Sequence, residues 1–393
     1  MMDASTVLTE KLYDREPYAK EFSATVVWAE GDEVVLDRTL FFPEEGGQSP
    51  DTGRLNGREV CDVQIVDGRI HHYLKSDADA EPLKEGQTVQ GELDWERRFS
   101  NMQQHSGEHL VSGIVNRLFG FDNVGFHLSD REVTLDFNGV IPEDRLTEIE
   151  LLANRAIYAN VECVIRFTTK EERSGLFYRS KLDLEGEVRL VEFPGYDVCA
   201  CCAPHVRRTG EIGSIRIIKC VNHKGGVRMS ILCGERAAVF AAEEHRIVAE
   251  AAGMLTTSAD QICPQVRKLQ TANIEMKGKL RQFAAKSLDA EIAAVDPAAE
   301  QVLLFAEDLE ASAVRSVVNR LAAEHAGLCA VFIGTDEAGY SFVIGSGTAG
   351  GDAREAIKKM QSAGFAARGG GKPVMVQGSL QGNAAAIREV LQS

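Results

Sequence analysis

The sequence predicts a mixed α/β protein: an N-terminal β-barrel, an α+β core, a helical connector and a C-terminal α/β unit. Three patterns carry that expectation. Between residues 20 and 95, short runs rich in β-branched and aromatic residues alternate with turn residues, as in a small barrel or curled sheet. From about 240 to 293 the chain is helical in period, with little Gly or Pro in its later part. Beyond about 300, strand-like and helical segments alternate. A chain of 393 residues exceeds one ordinary core. The changes of pattern place its expected parts at 1–95, 96–240, 241–295 and 296–393.

Taken in order, residues 22–28 and 33–37 flank a Gly31-Asp32 turn and read as a hairpin. Residues 39–48, 51–55 and 91–95 continue as short strands. A helix follows, because Leu110, Val111, Ile114, Val115 and Leu118 keep one apolar face. Residues 133–137 read as a strand, and a helix from Pro142 to about Ala159 repeats Leu146, Ile149, Leu152, Ala153 and Ile157. Residues 214–219 and 228–232 are strands again. In the connector, Val266, Leu269, Asn273, Met276, Leu280, Phe283 and Ala290 approximate an a/d seam. That seam fits a helical hairpin or coiled coil, and equally a long helix packed on its own chain. Residues 302–305, 329–333 and 340–344 read as strands, with helices through 315–326 and 354–362. Arg368-Gly369-Gly370-Gly371-Lys372-Pro373 reads as a loop, either a plain surface turn or one whose N–H groups approach a phosphate. It lacks the G-x4-G-K-[ST] frame of a Walker loop.

The formal net charge of −16 argues against a general affinity for nucleic acid. Local basic surface is still expected from Arg97, Arg98, Arg166, Lys170, Arg173, Arg179, Lys181, Arg207, Arg208, Arg216, Lys219, Lys224 and Arg228. A second set, Arg267, Lys268, Lys277, Lys279, Arg281 and Lys286, lies along the connector. Solvated surface is one reading of these charges, and a rim for a phosphate-bearing substrate is the other. Three of the nine cysteines fall within 199–202, and adjacent Cys201 and Cys202 suit metal or thiol chemistry in a reducing compartment better than a disulfide framework. Met1-Met2-Asp3-Ala4-Ser5 has no basic-then-apolar leader, and no run of about eighteen apolar residues exists. A cytoplasmic protein without a membrane partner is expected.

The chemistry gathers in two clusters, Gln104-His105-Ser106-Gly107-Glu108-His109 and Cys199-Ala200-Cys201-Cys202-Ala203-Pro204-His205. On a helix, His105 and His109 share a face. Cys201 and His205 would complete an N/S ligand set of the kind zinc selects. A competing reading takes His105-x-x-Glu108-His109 as the H-x-x-E-H pattern of a zinc peptidase, with Glu108 as base. It requires a remote carboxylate as third ligand and leaves Cys201 and His205 without a role.

Four segments together resemble the alanyl-tRNA editing proteins, the long trans-editing relatives of the editing half of alanyl-tRNA synthetase. They are Phe42-Pro43-Glu44-Glu45-Gly46-Gly47-Gln48 with Asp51-Thr52-Gly53; Asp94-Trp95-Glu96-Arg97-Arg98; His105-x3-His109; and Cys201-Cys202-Ala203-Pro204-His205-Val206-x2-Thr209-Gly210-Glu211-Ile212-Gly213. The C-terminal unit, with Gly369-Gly370-Gly371 and Gln377-Gly378-Ser379, is similar to the DHHA1-type nucleic-acid-binding domain of that family. Two departures are visible. The synthetase-type loop reads Cys-Gly-Gly-Thr-His where this chain has Cys-Cys-Ala-Pro-His, and residue 108, a small hydroxyl residue there, is Glu here.

The resemblance implies Zn2+ held by His105, His109, Cys201 and His205. It also implies hydrolysis of the ester of tRNA(Ala) mischarged with Ser or Gly. Glu108, about 100° around the helix from His109, is a candidate base or a residue orienting a ligand. Gln48 is a candidate pocket residue with a catalytic role. Cys202 is a weaker candidate nucleophile, and Cys199 is expected to pack beside the site. The loop Val124-Gly125-Phe126-His127-Leu128 is expected to help select the amino acid, and the C-terminal unit to bind tRNA and to be a candidate homodimer interface. A non-catalytic, zinc-stabilised tRNA-binding module is the remaining reading.

Overall fold

Alternation along 21–93 buries one face of every strand, and closing the sheet on itself removes its edges. In the computed structural model, which describes residues 8–180, 185–307, 309 and 311–393, six strands close into a barrel. They are β1 (Glu21–Glu30), β2 (Glu33–Leu36), β3 (Gly53–Leu55), β4 (Arg58–Val66), β5 (Arg69–Leu74) and β6 (Thr88–Leu93), in the order β1-β2-β5-β4-β3-β6 with β6 back on β1. Val26, Val34, Leu36, Val60, Val63 and Val89 fill the interior. Residues 1–5 and Lys181 lie outside the described residues. The chain divides into two compact units, Met1–Val248 and Ala249–Ser393.

Most of segment 39–48, expected as a strand, is a loop that sends Phe41 and Phe42 into the barrel core. Pro43 cannot donate to a ladder, and Gly46 and Gly47 take positive φ of 62° and 86°.

Helix α1 (Trp95–Phe119) starts where Asp94 accepts the Arg97 N–H at 3.1 Å and stops at Gly120 in the left-handed region. Leu110, Val111, Ile114 and Val115 are fully buried, as are Asn101 and Gln104. Such a helix must satisfy its polar groups internally. Gln104 does so by exchanging two 2.8 Å bonds with the backbone of Cys233. Around α1 lie β7 (Asn123–Leu128), β8 (Val133–Phe137), α2 (Leu146–Ala159), β9 (Val164–Thr168), β10 (Val188–Phe193), β11 (Asp197–Ala200), β12 (Ile215–His223) and β13 (Gly226–Cys233). One sheet runs β12-β13-β8-β7 and a second runs β9-β10-β11. Residues 124–128 therefore form a strand rather than the expected loop. Gly125 hides the alternation, because it closes over Asp136 of β8, where a Cβ would meet Oδ2 at 2.6 Å.

The barrel is tied to α1 by a fully buried ion pair. Arg98 Nε donates to Asp51 Oδ2 at 3.0 Å, Arg98 also donates to the carbonyls of Leu40 and Pro17, and Asp51 Oδ2 accepts the Phe42 N–H at 2.7 Å.

Two helices follow, α3 (Gly234–Met254) and α4 (Ile262–Ala293). Leu269, Met276, Leu280 and Phe283 of the seam stay exposed on α4. The second unit also holds β14 (Val302–Ala306), α5 (Ala311–Glu324), β15 (Leu328–Thr335), β16 (Gly339–Ser346), α6 (Arg354–Ser362), β17 (Arg368–Lys372), β18 (Met375–Leu380) and α7 (Ala384–Gln392). Its sheet order is β14-β15-β16-β18-β17. The triglycine segment is thus an edge strand and not a loop. It pairs antiparallel with β18, backbone bonds supplying what its missing side chains cannot. Among the described residues no helix is long and apolar enough to cross a membrane.

Breaking the buried pair on one side strands a charge and costs about 3–5 kcal/mol. Arg98→Met should lower the unfolding free energy by that amount, and adding Asp51→Leu should recover much of the loss. Both tryptophans, Trp28 and Trp95, lie in the first unit, so urea unfolding followed by fluorescence reads the effect. A loss no larger than an exposed pair gives, about 0.5 kcal/mol, would deny the pair this role.

Candidate metal centre

Helix α1 presents His105 and His109 on one face, and the loop after β11 brings Cys201 and His205 against them. One ligand atom from each lies within 4.8 Å of every other. Cys201 Sγ stands 3.5 Å from His105 Nε2 and 3.3 Å from His205 Nε2. Bonds of about 2.3 Å to sulfur and 2.1 Å to nitrogen make a tetrahedral S···N edge of about 3.5 Å. The four residues therefore fit a zinc ion.

The imidazoles are turned by oxygens behind them. His105 Nδ1 lies 2.7 Å from Gln48 Oε1, His109 Nδ1 lies 3.0 Å from Asp197 Oδ2, and His205 Nδ1 lies 3.0 Å from Ser106 Oγ. Ser106 Oγ also accepts the Val206 N–H at 3.2 Å. An Nδ1–H donated to Gln48 leaves Nε2 as the free lone pair of His105, and the close ion-pair contact with Asp197 sets the ring of His109. Arg189 holds the ligand loop by donating to the carbonyls of Cys201, at 2.7 Å, and Ala203, at 3.0 Å.

Gln48 reaches His105 because its turn is pinned to β7. Leu128 N–H donates to Gly47 O at 2.7 Å, and Ser49 N–H to Leu128 O at 3.3 Å. Position 47 admits only glycine, since a Cβ would sit 2.3 Å from Phe126 O. Among the described residues, Gln48 Nε2 is buried without a hydrogen-bond partner. Of the segment 124–128, Phe126 stands with its ring 4.7 Å from that of His105, whereas Val124 and His127 are exposed.

Glu108 is buried. Its Oε1 accepts Ser112 Oγ at 2.6 Å and Asn123 Nδ2 at 2.7 Å, and its Oε2 lies 3.8 Å from His109 Nε2. Burial opposes its charge, but His109, Arg179, His105 and the Ser112 hydroxyl outweigh that and hold the carboxyl at about 2. Asp197 is likewise buried, and its His109 and Arg179 partners hold it below the usual carboxylate range despite burial. Arg179 grips both Asp197 oxygens, at 2.6 and 2.9 Å, and stands 3.9 Å from Glu108. His109, Asp197 and Cys199 also cluster; the guanidinium on Asp197 makes that carboxylate an anchor for His109 rather than a second metal site.

Burial, reinforced by Cys202 and Cys199, pushes the Cys201 thiol well up, and burial beside His109 and His105 pushes His205 well down. Burial and Glu45 push Cys202 up to about 12, so it is no nucleophile at neutral pH. Asp197, Arg179 and Ser106 were not singled out as site residues from the sequence. The one local signal was the run Tyr196-Asp197-Val198-Cys199 just ahead of the cluster. Of the expected basic rim, Arg97, Arg98, Arg166, Arg179, Arg216 and Arg228 sit in ion pairs.

The remaining motif residues are structural. Thr209 Oγ1 donates to Ala156 O at 2.7 Å and accepts the Val161 N–H at 3.0 Å. Glu211 accepts the Arg207 N–H at 2.8 Å and the Tyr18 hydroxyl.

With this geometry in place, sequence comparison is informative. The family of class II (A) tRNA synthetases matches residues 10–97, and the second additional domain of threonyl- and alanyl-tRNA synthetases matches residues 188–229. The alanine–tRNA ligase of Pyrobaculum neutrophilum is 30% identical over 406 residues, covering 98% of this chain and 44% of the ligase. That of Ignicoccus hospitalis is 32% identical over 305 residues, covering 72% of this chain and 33% of the ligase. The alanyl-tRNA editing protein AlaX-L of Pyrococcus horikoshii is 32% identical over 241 residues, 58% of this chain and 59% of that protein. The chain thus spans from a third to about three fifths of the length of these relatives.

Two measurements test the centre. Zinc should bind with a stoichiometry near one and be lost from His109→Ala. Because Cys201 is protonated in the metal-free site, binding must release that proton, so affinity should rise about tenfold per pH unit across neutrality; a flat profile would remove the thiolate from the ligand set. Asp197→Asn should weaken zinc affinity about 10–100-fold, read by competition with a chelator, and unchanged affinity would remove Asp197 as the anchor of His109.

Proposed function

The chain is an AlaX-type relative of the alanine–tRNA ligases, and on that footing we propose that it edits tRNA(Ala) mischarged with Ser or Gly by hydrolysing the aminoacyl ester. One observation carries the reading: a four-residue N/S ligand set whose first histidine is bonded to Gln48, a side chain with a buried and unpartnered amide N–H2. Ester hydrolysis needs a fixed donor for the oxygen that gains charge as water attacks. Gln48 Nε2 is such a donor, held by the Gly46-Gly47 turn and costing no reorganisation. Zinc bound by His105, His109, Cys201 and His205 would supply Lewis acidity beside the ester. Four protein ligands close a tetrahedral site, so recognition of the aminoacyl group falls to the surrounding side chains.

Glu108, held at about 2, is a weak proton acceptor near neutral pH. That supports a fixed negative charge more than a general base. The peptidase reading loses support for the same reason, and because Cys201 and His205 occupy the ligand positions it would assign elsewhere.

The parts divide the work as follows. Residues 1–95 form the barrel that carries Gln48, and 96–240 the editing core. Residues 241–295 are the connector, and 296–393 a DHHA1-like module that binds tRNA and is the candidate homodimer surface. The exposed basic residues of α4 extend that tRNA surface. The site of action is the cytoplasm, where tRNA is charged.

Single-turnover deacylation of Ser-, Gly- and Ala-charged tRNA(Ala) tests the proposal, with zinc-loaded protein, metal-stripped protein and His109→Ala. Fast loss of Ser or Gly that spares Ala, abolished by metal removal and by the substitution, is expected. Intact tRNA binding without deacylation would favour the non-catalytic module instead.

A further inference from the structure

A buried carboxylate needs donors or a cation for each of its oxygens. Glu108 is only 5% exposed, and its two oxygens are treated differently. Oε1 is saturated by Ser112 and Asn123. Oε2 accepts no hydrogen bond from the described residues and lies 3.8 Å from His109 Nε2, the ring nitrogen on the side of the ligand cluster. The nearby cation, Arg179, is committed to both oxygens of Asp197. One carboxylate oxygen is therefore left without a donor among the described residues, beside His109 Nε2.

An aminoacyl ester carries its own cation, an ammonium two bonds from the ester carbonyl carbon. Any ester whose carbonyl is held between Gln48 Nε2 and the ligand cluster brings that ammonium into the same small volume. Resting on the editing reading, we propose that Glu108 Oε2 receives the α-ammonium of the aminoacyl group, so that the site distinguishes an amino-acid ester from a plain acyl ester. Ser112 and Asn123 then act as positioning residues that fix the carboxylate through its other oxygen.

The test compares, on the same tRNA(Ala), the seryl ester with the 3-hydroxypropionyl ester, which keeps the hydroxyl and the ester but lacks the ammonium. Each single-turnover rate of the zinc-loaded full chain is divided by the spontaneous rate of that ester. The wild type should favour the seryl ester by about ten- to a hundredfold, the size of one charge-assisted hydrogen bond. Glu108→Gln should lower the seryl rate by that factor, leave the 3-hydroxypropionyl rate within about twofold, and keep its zinc. Equal wild-type rates on both esters would overturn the inference while leaving the editing reading intact, and that comparison needs no variant. Equal losses on both esters in Glu108→Gln, or loss of zinc, would overturn it too, by making Glu108 a base or a metal ligand. Hydrolysis of neither ester by the wild type would sink the editing reading itself.

Discussion

The buried Arg98–Asp51 pair is the constraint on which the site depends. Asp51 stands three residues after Gln48, at the end of the turn that offers the amide. Arg98 stands seven residues before His105, which is two helical turns and nearly the same face of α1. The ion pair, together with Arg97 donating to Pro50 O at 3.0 Å and Ser49 Oγ at 3.2 Å, therefore sets the distance between the barrel loop and the helix. Gln48 meets His105 at 2.7 Å because the next contact along both segments is already locked. A surface pair could not hold this register, since solvent would screen it and side-chain entropy would oppose it.

Behind the ligands, charge is arranged so that every buried ion has a partner. Arg179 neutralises Asp197, and Asp197 orients His109. Glu108 takes its hydrogen bonds from Ser112 and Asn123 on Oε1, with Arg179 3.9 Å from that oxygen and His109 3.8 Å from the other. This asymmetry gives the centre a direction. Arg179 holds Asp197 in a bidentate pair, whereas among the described residues the Gln48 amide N–H2 keeps unused hydrogen-bonding capacity.

Much of this was legible in the sequence, for identifiable reasons. His105 and His109 declare themselves because helical period and i, i+4 spacing are local properties, and Cys201 and His205 because a Cys-x3-His run is compact. The barrel and the strands of the second unit follow from alternation. What escaped was tertiary. Arg179 and Asp197 are ordinary residues until folding places them behind His109. Arg98 and Asp51 were visible as motif letters, but nothing local says that one pairs with the other. The strand at 123–128 and the edge strand at 368–372 were read as loops because glycines erase the alternation on which strand reading rests. The basic residues between the two ligand clusters suggested an anion-binding rim, yet carboxylates capture Arg166 and Arg179.

The two departures from the synthetase-type pattern make physical sense together. In the ligand loop, Ala203 is fully buried against the barrel core and Cys202 keeps its proton, so neither contributes an ionised group. Arg189 fixes that loop through its carbonyls alone. The hydroxyl that a Thr would have placed there is gone. On the opposite side, α1 has exchanged a small hydroxyl residue for Glu108, with Ser112 and Asn123 to hold it. Whatever tilts His105 or His109 also displaces Glu108, which lies between them on the same helix.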